Sequence, residues 1–96
     1  MMFSPELRDG VLAGQVTVSF RLWKRPKVKA GGRYPVGPGP GLIEVDAIEL
    51  VPFASVTDDD VRLAGEPDLE TLRRRAAHAG PVEDATLLYR VEFHPV

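Results

Sequence analysis

The chain has 96 residues, of which 44% are hydrophobic and 27% are charged, and its formal net charge is −2. These values are typical of one soluble globular domain spanning residues 1–96, and the weakly acidic balance excludes attraction of nucleic acid over the whole surface. The absence of cysteine excludes a disulfide framework, and no apolar stretch is long enough to span a bilayer. The first residues lack the pattern of a secretory signal, so we expect a cytoplasmic protein without a membrane partner.

A short helix and a strand are predicted in the first quarter of the chain. Ser4 is typical of a helix cap and Gly14 of a helix end, which predicts a helix over residues 5–13. Apolar and polar residues then alternate over residues 16–23, which predicts a strand with one buried and one exposed face. The buried face contains Val16, Val18, Phe20 and Leu22, and the exposed face contains Thr17, Ser19, Arg21 and Trp23.

A long strand is predicted over residues 42–51, after a loop, a short strand over residues 33–36 and a glycine- and proline-rich connection. In a regular strand Glu49 would lie on the apolar face, so a bulge or an exposed strand end is expected near it. Pro52 then marks the end of the strand pairing or a sheet edge, because proline has no amide hydrogen to donate.

Two short helices and a closing strand are predicted after that. Thr57 and Asp60 form a capping-box pattern, and Gly65 is typical of the end of the helix that follows. A second helix is predicted over residues 68–79, with at least two of its three consecutive arginines solvated. The closing strand covers residues 87–94, with Leu87, Tyr89, Val91 and Phe93 on one face. This order of elements lacks the alternation of a parallel α/β sheet and favours a small curved sheet or barrel with peripheral helices.

A basic segment is the main functional feature of the sequence. Between Gly10 and Ile43 there are six basic residues and no acidic one, namely Arg21, Lys24, Arg25, Lys27, Lys29 and Arg33. Such side chains neutralise phosphates, which predicts salt-dependent binding of nucleic acid. The alternative is a solvated segment that is neutralised in the fold by the six acidic residues between Glu44 and Asp60.

Several single side chains have two interpretations each. Trp23 would either stack on a base or close one end of the barrel. Arg21 would either contact a phosphate or carboxylate of a ligand or form a buried ion pair, for which the acidic candidates are Glu44, Asp46 and Glu92. The two histidines, His78 and His94, have no spacing typical of a catalytic triad or a zinc site, so we expect no metal ion and no cofactor.

The run VLAGQVTVSFRLWKRPKVKAGGRYPVG resembles the opening of an ASCH domain, the activating-signal-cointegrator homology family. The family strand pattern T-x-[ST]-x-R is present as Thr17, Ser19 and Arg21. A basic segment that begins at Trp23-Lys24 and the turn Gly31-Gly32 follow it. The later runs VTDDDVRLAG, DLETLRRR and LLYRVEF extend the resemblance over roughly residues 3–94. The resemblance, to a small stand-alone bacterial-type member, implies an α+β or mainly β fold: a small PUA-like β-barrel with short peripheral helices.

The resemblance also implies binding of RNA in a cleft lined by the polar face of the first strand. We therefore predict a nucleic-acid-binding module whose ligand is RNA or a nucleotide. The predicted contacts are Ser19, Arg21, Trp23, Lys24, Arg25, Lys27, Lys29 and Arg33.

The alternative is a hydrolase that acts on RNA or on a modified, acylated nucleoside, because some small bacterial members are similar to ribonucleases or nucleoside amidohydrolases. The candidate catalytic residues are Ser19, Lys24 and Glu70. In the deacylating members a lysine directly precedes the motif threonine, whereas Val16 stands there in this chain and cannot accept a proton. A third hypothesis, a protein-interaction module, predicts an exposed apolar patch.

Overall fold

A computed structural model describes all residues, 1–96, as a curled, four-stranded antiparallel sheet with three short helices. The elements are α1 (Pro5–Leu12), β1 (Val18–Arg21), β2 (Arg33–Pro35), β3 (Leu42–Pro52), α2 (Asp58–Leu63), α3 (Leu69–Ala76) and β4 (Leu87–Pro95). The strand order is β1-β4-β3-β2, so the last strand of the chain lies beside the first. The predicted α+β class is confirmed, with the sheet curled into half a barrel and β1 and β2 at its two edges.

Two hydrophobic clusters of nine buried residues each stabilise this sheet. The first cluster joins α1 to the sheet and includes Val16, Val45 and Phe93. The second cluster joins α2 and α3 to the sheet and includes Val18 and Phe20. The alternation predicted for the first strand is therefore confirmed, although its regular pairing begins only at Val18.

The closing strand departs from its predicted alternation at its first residues. Val91 and Phe93 are buried in the first cluster, as predicted. Leu87, however, is 51% exposed, whereas Leu88 is fully buried in the second cluster. The reason is that β4 is a central strand between β1 and β3, and its beginning packs on a different core from its end.

The bulge in β3 lies at Asp46, three residues before Glu49. Val45 pairs with Phe93 and Ala47 with Glu92, so Asp46 is the extra residue. The sequence pattern predicts a bulge or an exposed strand end near Glu49, and Glu49 is exposed. Because an extra residue reverses the facing of the side chains after it, Ala47 is exposed and Ile48 packs against the first cluster.

The helix ends follow their local sequence signals at most positions. The capping box of α2 is confirmed, with reciprocal hydrogen bonds of 3.1 Å between Thr57 and Asp60. The predicted cap by the Ser4 side chain is wrong, because the Leu7 amide donates to the Ser4 carbonyl oxygen instead. None of the helices has the length and apolar character that a membrane crossing requires.

The three consecutive arginines of α3 are less solvated than predicted. Only Arg74 is exposed. The side chains of Arg73 and Arg75 are 33% and 32% exposed, and both form ion pairs. The prediction of solvated side chains is confirmed in full for Arg74, whereas Arg73 is held partly buried by Glu70 of the same helix and Arg75 by Glu6 and Glu66.

Candidate functional site

A cleft of about 410 Å³ lies along β1, between that edge strand and the helices. All four residues of β1 line it, together with residues of the segment before α1 and of α3. Its apolar lining includes Leu7, Val18, Phe20, Leu72 and Ala76. Its polar side chains are Ser4, Ser19, Arg21, Glu66, Arg75 and His78. The cleft thus combines an apolar surface with both signs of charge.

Arg21 is a cation in the wall of this cleft without a carboxylate partner. Its Nε donates to the Ser19 hydroxyl oxygen at 2.7 Å, and one terminal nitrogen donates to the Met2 carbonyl oxygen at 2.9 Å. The guanidinium carbon lies 5.0 Å from the centroid of the Phe3 ring. Burial lowers the pKa of Arg21 to about 10, because removal from water disfavours the charged form. Its remaining N–H groups are available to an acceptor on a ligand.

The alternative in which Arg21 forms a buried ion pair is wrong. Its three acidic candidates have other partners: Glu44 pairs with Arg33, Asp46 with His94, and Glu92 with Arg90. Arg21 is therefore held by a hydroxyl, a carbonyl oxygen and an aromatic ring, which fix its direction without neutralising its charge.

Glu66 is the carboxylate of the cleft, and no sequence pattern pointed to it. Its side chain is 3% exposed, and its Oε2 accepts a 2.5 Å hydrogen bond from Arg75 Nε. Its other oxygen, Oε1, is buried and has no hydrogen-bond partner. Because buried polar atoms are normally paired, this oxygen is an unsatisfied acceptor in the wall of the cleft.

Gly65 explains how Glu66 enters the cleft. It follows α2 with a φ of +75°, a conformation that favours glycine. A Cβ at this position would lie 2.8 Å from Val16 Cγ2 and 3.0 Å from Leu7 Cδ2. The tight turn therefore requires glycine on two grounds, and it directs the next residue inward. The position of Glu66 between a helix-ending glycine and Pro67 is the local feature that could have drawn attention to it, and the sequence analysis makes no use of it.

The predicted catalytic residues do not lie together. Ser19 lines the cleft, but Lys24 and Glu70 do not. Glu70 lies on α3 with 66% of its side chain exposed and pairs with Arg73 at 3.4 Å. Val16, at the position of the family lysine, is buried in the first cluster.

The basic loop, residues 24–29, carries four exposed cations, namely Lys24, Arg25, Lys27 and Lys29. None of them forms a salt bridge. The loop is anchored because Val28 is buried in the first cluster and the Lys29 amide donates to the Tyr34 hydroxyl at 3.0 Å. Arg33 differs, since its Nε pairs with Glu44 at 3.1 Å. Neutralisation by the later acidic residues thus applies to Arg33 and leaves the basic loop charged.

Trp23 lies outside the cleft. Its ring packs on Tyr89, with the ring centroids 6.0 Å apart, and against the first hydrophobic cluster. Of its two interpretations, this contact agrees with the one in which the side chain closes an end of the sheet.

No family model matches the sequence, and no curated protein matches it either. Solved structures do match. An ASCH domain from Lactobacillus crispatus superposes with a TM-score of 0.76 and 20% identity, over 94% of this chain and 70% of its own. A protein from Enterococcus faecalis, from the family called DUF984, superposes with a TM-score of 0.75 and 16% identity, over 95% of this chain and 67% of its own. The predicted resemblance is confirmed at the level of the fold: this chain is a small domain with an ASCH-like fold.

Proposed function

We propose that the protein binds single-stranded RNA, with the basic loop contacting phosphates and the cleft holding one polar group of the nucleic acid. The observation that carries the proposal is Arg21, a part-buried guanidinium without a carboxylate partner in the wall of a cleft. Burying such a charge is unfavourable unless something pairs with it. A bound phosphate or carbonyl group supplies that partner.

The basic loop supplies the electrostatic part of the proposal. The loop carries four unpaired cations in a chain whose net charge is negative, and its buried Val28 attaches it to the first hydrophobic cluster. Contacts between such side chains and phosphates release counterions and need no particular base sequence. The loop begins three residues after Arg21 in the chain, at the end of the strand that lines the cleft.

The cleft supplies the selective part. Arg21 offers N–H donors, and Glu66 Oε1 offers an unpaired acceptor. A ligand that satisfies both must carry an acceptor and a donor, as the polar edge of a nucleobase does. The apolar lining, which includes Phe20 and Leu72, provides a surface for the face of a ring.

The double variant Lys24→Ala/Arg25→Ala is expected to bind RNA more weakly and with a smaller salt dependence. Two lost phosphate contacts reduce the slope of log affinity against log salt by about 1.4, at roughly 0.7 for each contact on a single strand. Fluorescence anisotropy with a short labelled RNA at several salt concentrations measures this slope.

The matched control for this prediction is Arg62→Ala/Arg74→Ala, which removes the same charge from two exposed positions on α2 and α3. It is expected to leave the slope nearly unchanged. Equal effects of the two double variants would place the binding surface elsewhere. If the native chain has no affinity for RNA, DNA or nucleotides at low salt, the proposal is wrong.

A second candidate function is hydrolysis of RNA or of an acylated nucleoside, and Glu66 is the observation that favours it. Once a side-chain movement exposes it, the unpaired oxygen of this carboxylate can accept a proton from a bound water or hydroxyl group. Arg21 would stabilise negative charge that develops on the substrate. Glu66 thus takes the role that the sequence assigned to Glu70.

Hydrolysis predicts product when the protein is incubated with RNA or with acylated nucleosides and the mixture is resolved by chromatography. Glu66→Gln is then expected to lower the rate by about 100-fold or more while the RNA affinity stays within a few-fold of the native value. Glu70→Gln is the control, since that residue is exposed and outside the cleft. Absence of product with every substrate leaves binding as the function.

A further inference from the structure

We propose that Glu44, Asp46 and His94 form a binding site for a divalent transition-metal ion such as Zn²⁺. One ligand atom from each residue lies within 4.8 Å of the others. None of the three lines the cleft, so the site is separate from the cleft. What distinguishes this group from ordinary surface acids is the imidazole, a ligand that suits zinc, copper and nickel.

Strand pairing brings the three side chains together. Glu44 on β3 lies directly opposite His94 on β4. Asp46 is the bulge residue of β3, and the buried Val45 separates it from Glu44, so both carboxylates project from the same side of the strand. The donors therefore lie on the two most extensively paired strands of the sheet, and binding requires no ordering of a loop.

The imidazole of His94 is already oriented for a metal. Its Nδ1 lies 2.8 Å and 3.0 Å from the two carboxylate oxygens of Asp46. When Nδ1 donates its hydrogen to Asp46, the lone pair of Nε2 is free, as in sites where a carboxylate orients a histidine ligand. Asp46 is thus assigned the orienting role and His94 Nε2 the role of ligand.

Glu44 supplies the second ligand. Its Oε2 lies 3.9 Å from His94 Nε2, which is too far for a hydrogen bond. An ion with bonds of roughly 2.0–2.2 Å to both atoms spans this separation at an angle wider than tetrahedral, and a side-chain movement of about 0.5 Å gives the tetrahedral angle. All three side chains are between 30% and 47% exposed, so water has access to complete the coordination.

The other charged groups at this position leave a net attraction for a cation. Arg33 Nε donates to Glu44 Oε1, which leaves Oε2 free but places one positive charge nearby. Glu92, the next residue of β4 on the same side as His94, is paired with Arg90. Two carboxylates therefore face one arginine, and Arg33→Ala is expected to strengthen metal binding.

Calorimetric titration of the full chain with Zn²⁺ tests the proposal. The native chain is expected to bind one ion, and His94→Ala is expected to lose about tenfold or more in affinity, because an exposed site loses its only nitrogen ligand. Asp46→Asn is expected to lose about 10- to 100-fold, as second-shell changes do. His78→Ala removes the other histidine of the chain and is expected to keep the native affinity.

A readout that does not depend on the variants is the NMR signal of the two imidazoles, since Zn²⁺ is expected to shift the signals of His94 and not those of His78. The proposal is overturned if the native chain binds no Zn²⁺, if His94→Ala binds as tightly as the native chain, or if His78→Ala abolishes binding. Equal affinity for Mg²⁺ and Zn²⁺ also overturns it, because that result would assign binding to carboxylate charge alone.

Discussion

Replacing Arg21 by methionine is expected to weaken RNA binding by about 10- to 100-fold without destabilising the protein. The loss corresponds to one hydrogen bond from a charged donor, which contributes about 1.5–3 kcal/mol where a buried site excludes water. Anisotropy with the same labelled RNA measures the affinity, and denaturation by urea measures the free energy of unfolding.

The Arg21→Met variant is also expected to be more stable than the native protein. The lowering of the Arg21 pKa to about 10 corresponds to about 3 kcal/mol of unfavourable burial. The hydrogen bonds to Ser19 and Met2 and the contact with Phe3 offset part of that cost. Because replacing buried charge with an apolar residue of similar volume is often neutral or favourable, Arg21→Met is expected to raise the free energy of unfolding by about 1–3 kcal/mol.

The pH dependence of that stability difference has a definite sign. With a folded-state pKa near 10, the unfolded chain holds the Arg21 proton more tightly than the folded chain does. The unfavourable burial is therefore fully present at neutral pH and decreases as the pH rises through about 10. The advantage of the methionine variant in urea denaturation is expected to shrink over the same range.

Arg8→Met is the matched control for Arg21→Met. Arg8 also lacks a carboxylate partner and also donates to a carbonyl oxygen, that of Phe3 at 3.0 Å, but it does not line the cleft. It is expected to change RNA affinity little. If Arg21→Met binds RNA with native affinity, the cleft is not part of the binding surface. A loss of several kcal/mol of stability would make Arg21 a structural residue.

Replacing Arg75 by methionine is expected to destabilise the fold by about 3–5 kcal/mol, the usual cost of leaving a buried charge without its partner. The Glu66 carboxylate is 3% exposed, and its Oε1 has no partner even in the native chain. Hydrogen bonds from this arginine to Glu66 and Glu6 raise the pKa of Arg75, which reports how tightly its charge is held. Urea denaturation measures the loss.

The double variant Glu66→Met/Arg75→Met is expected to recover most of that stability, because it removes both charges and keeps the volume. Glu6→Gln serves as a control: Glu6 is 61% exposed, and its pair with Arg75 is expected to contribute little to stability because water screens it. A small effect of Arg75→Met, or no recovery in the double variant, would mean that the pair is not energetically coupled.

Local patterns in the sequence predicted most of the elements. The alternation at residues 16–23 predicted which side chains of the first strand are buried, and Thr57, Asp60 and Gly65 predicted the limits of α2. These predictions succeed because strand facing and helix capping depend on residues only a few positions apart. The position of the bulge at Asp46 was not predicted, because it depends on which residues of β4 pair with β3.

Part of the candidate site is predictable from the sequence, and part depends on the tertiary structure. The sequence by itself determined the alternating strand with Ser19 and Arg21 and the basic loop that follows it, because both are local arrangements. Only the tertiary structure decided that Arg21 has no acidic partner, that Glu66 rather than Glu70 lines the cleft, and that His94 lies beside Asp46. The physical reason is that ion pairing and burial depend on which distant segments meet, and strand pairing and helix packing determine those meetings.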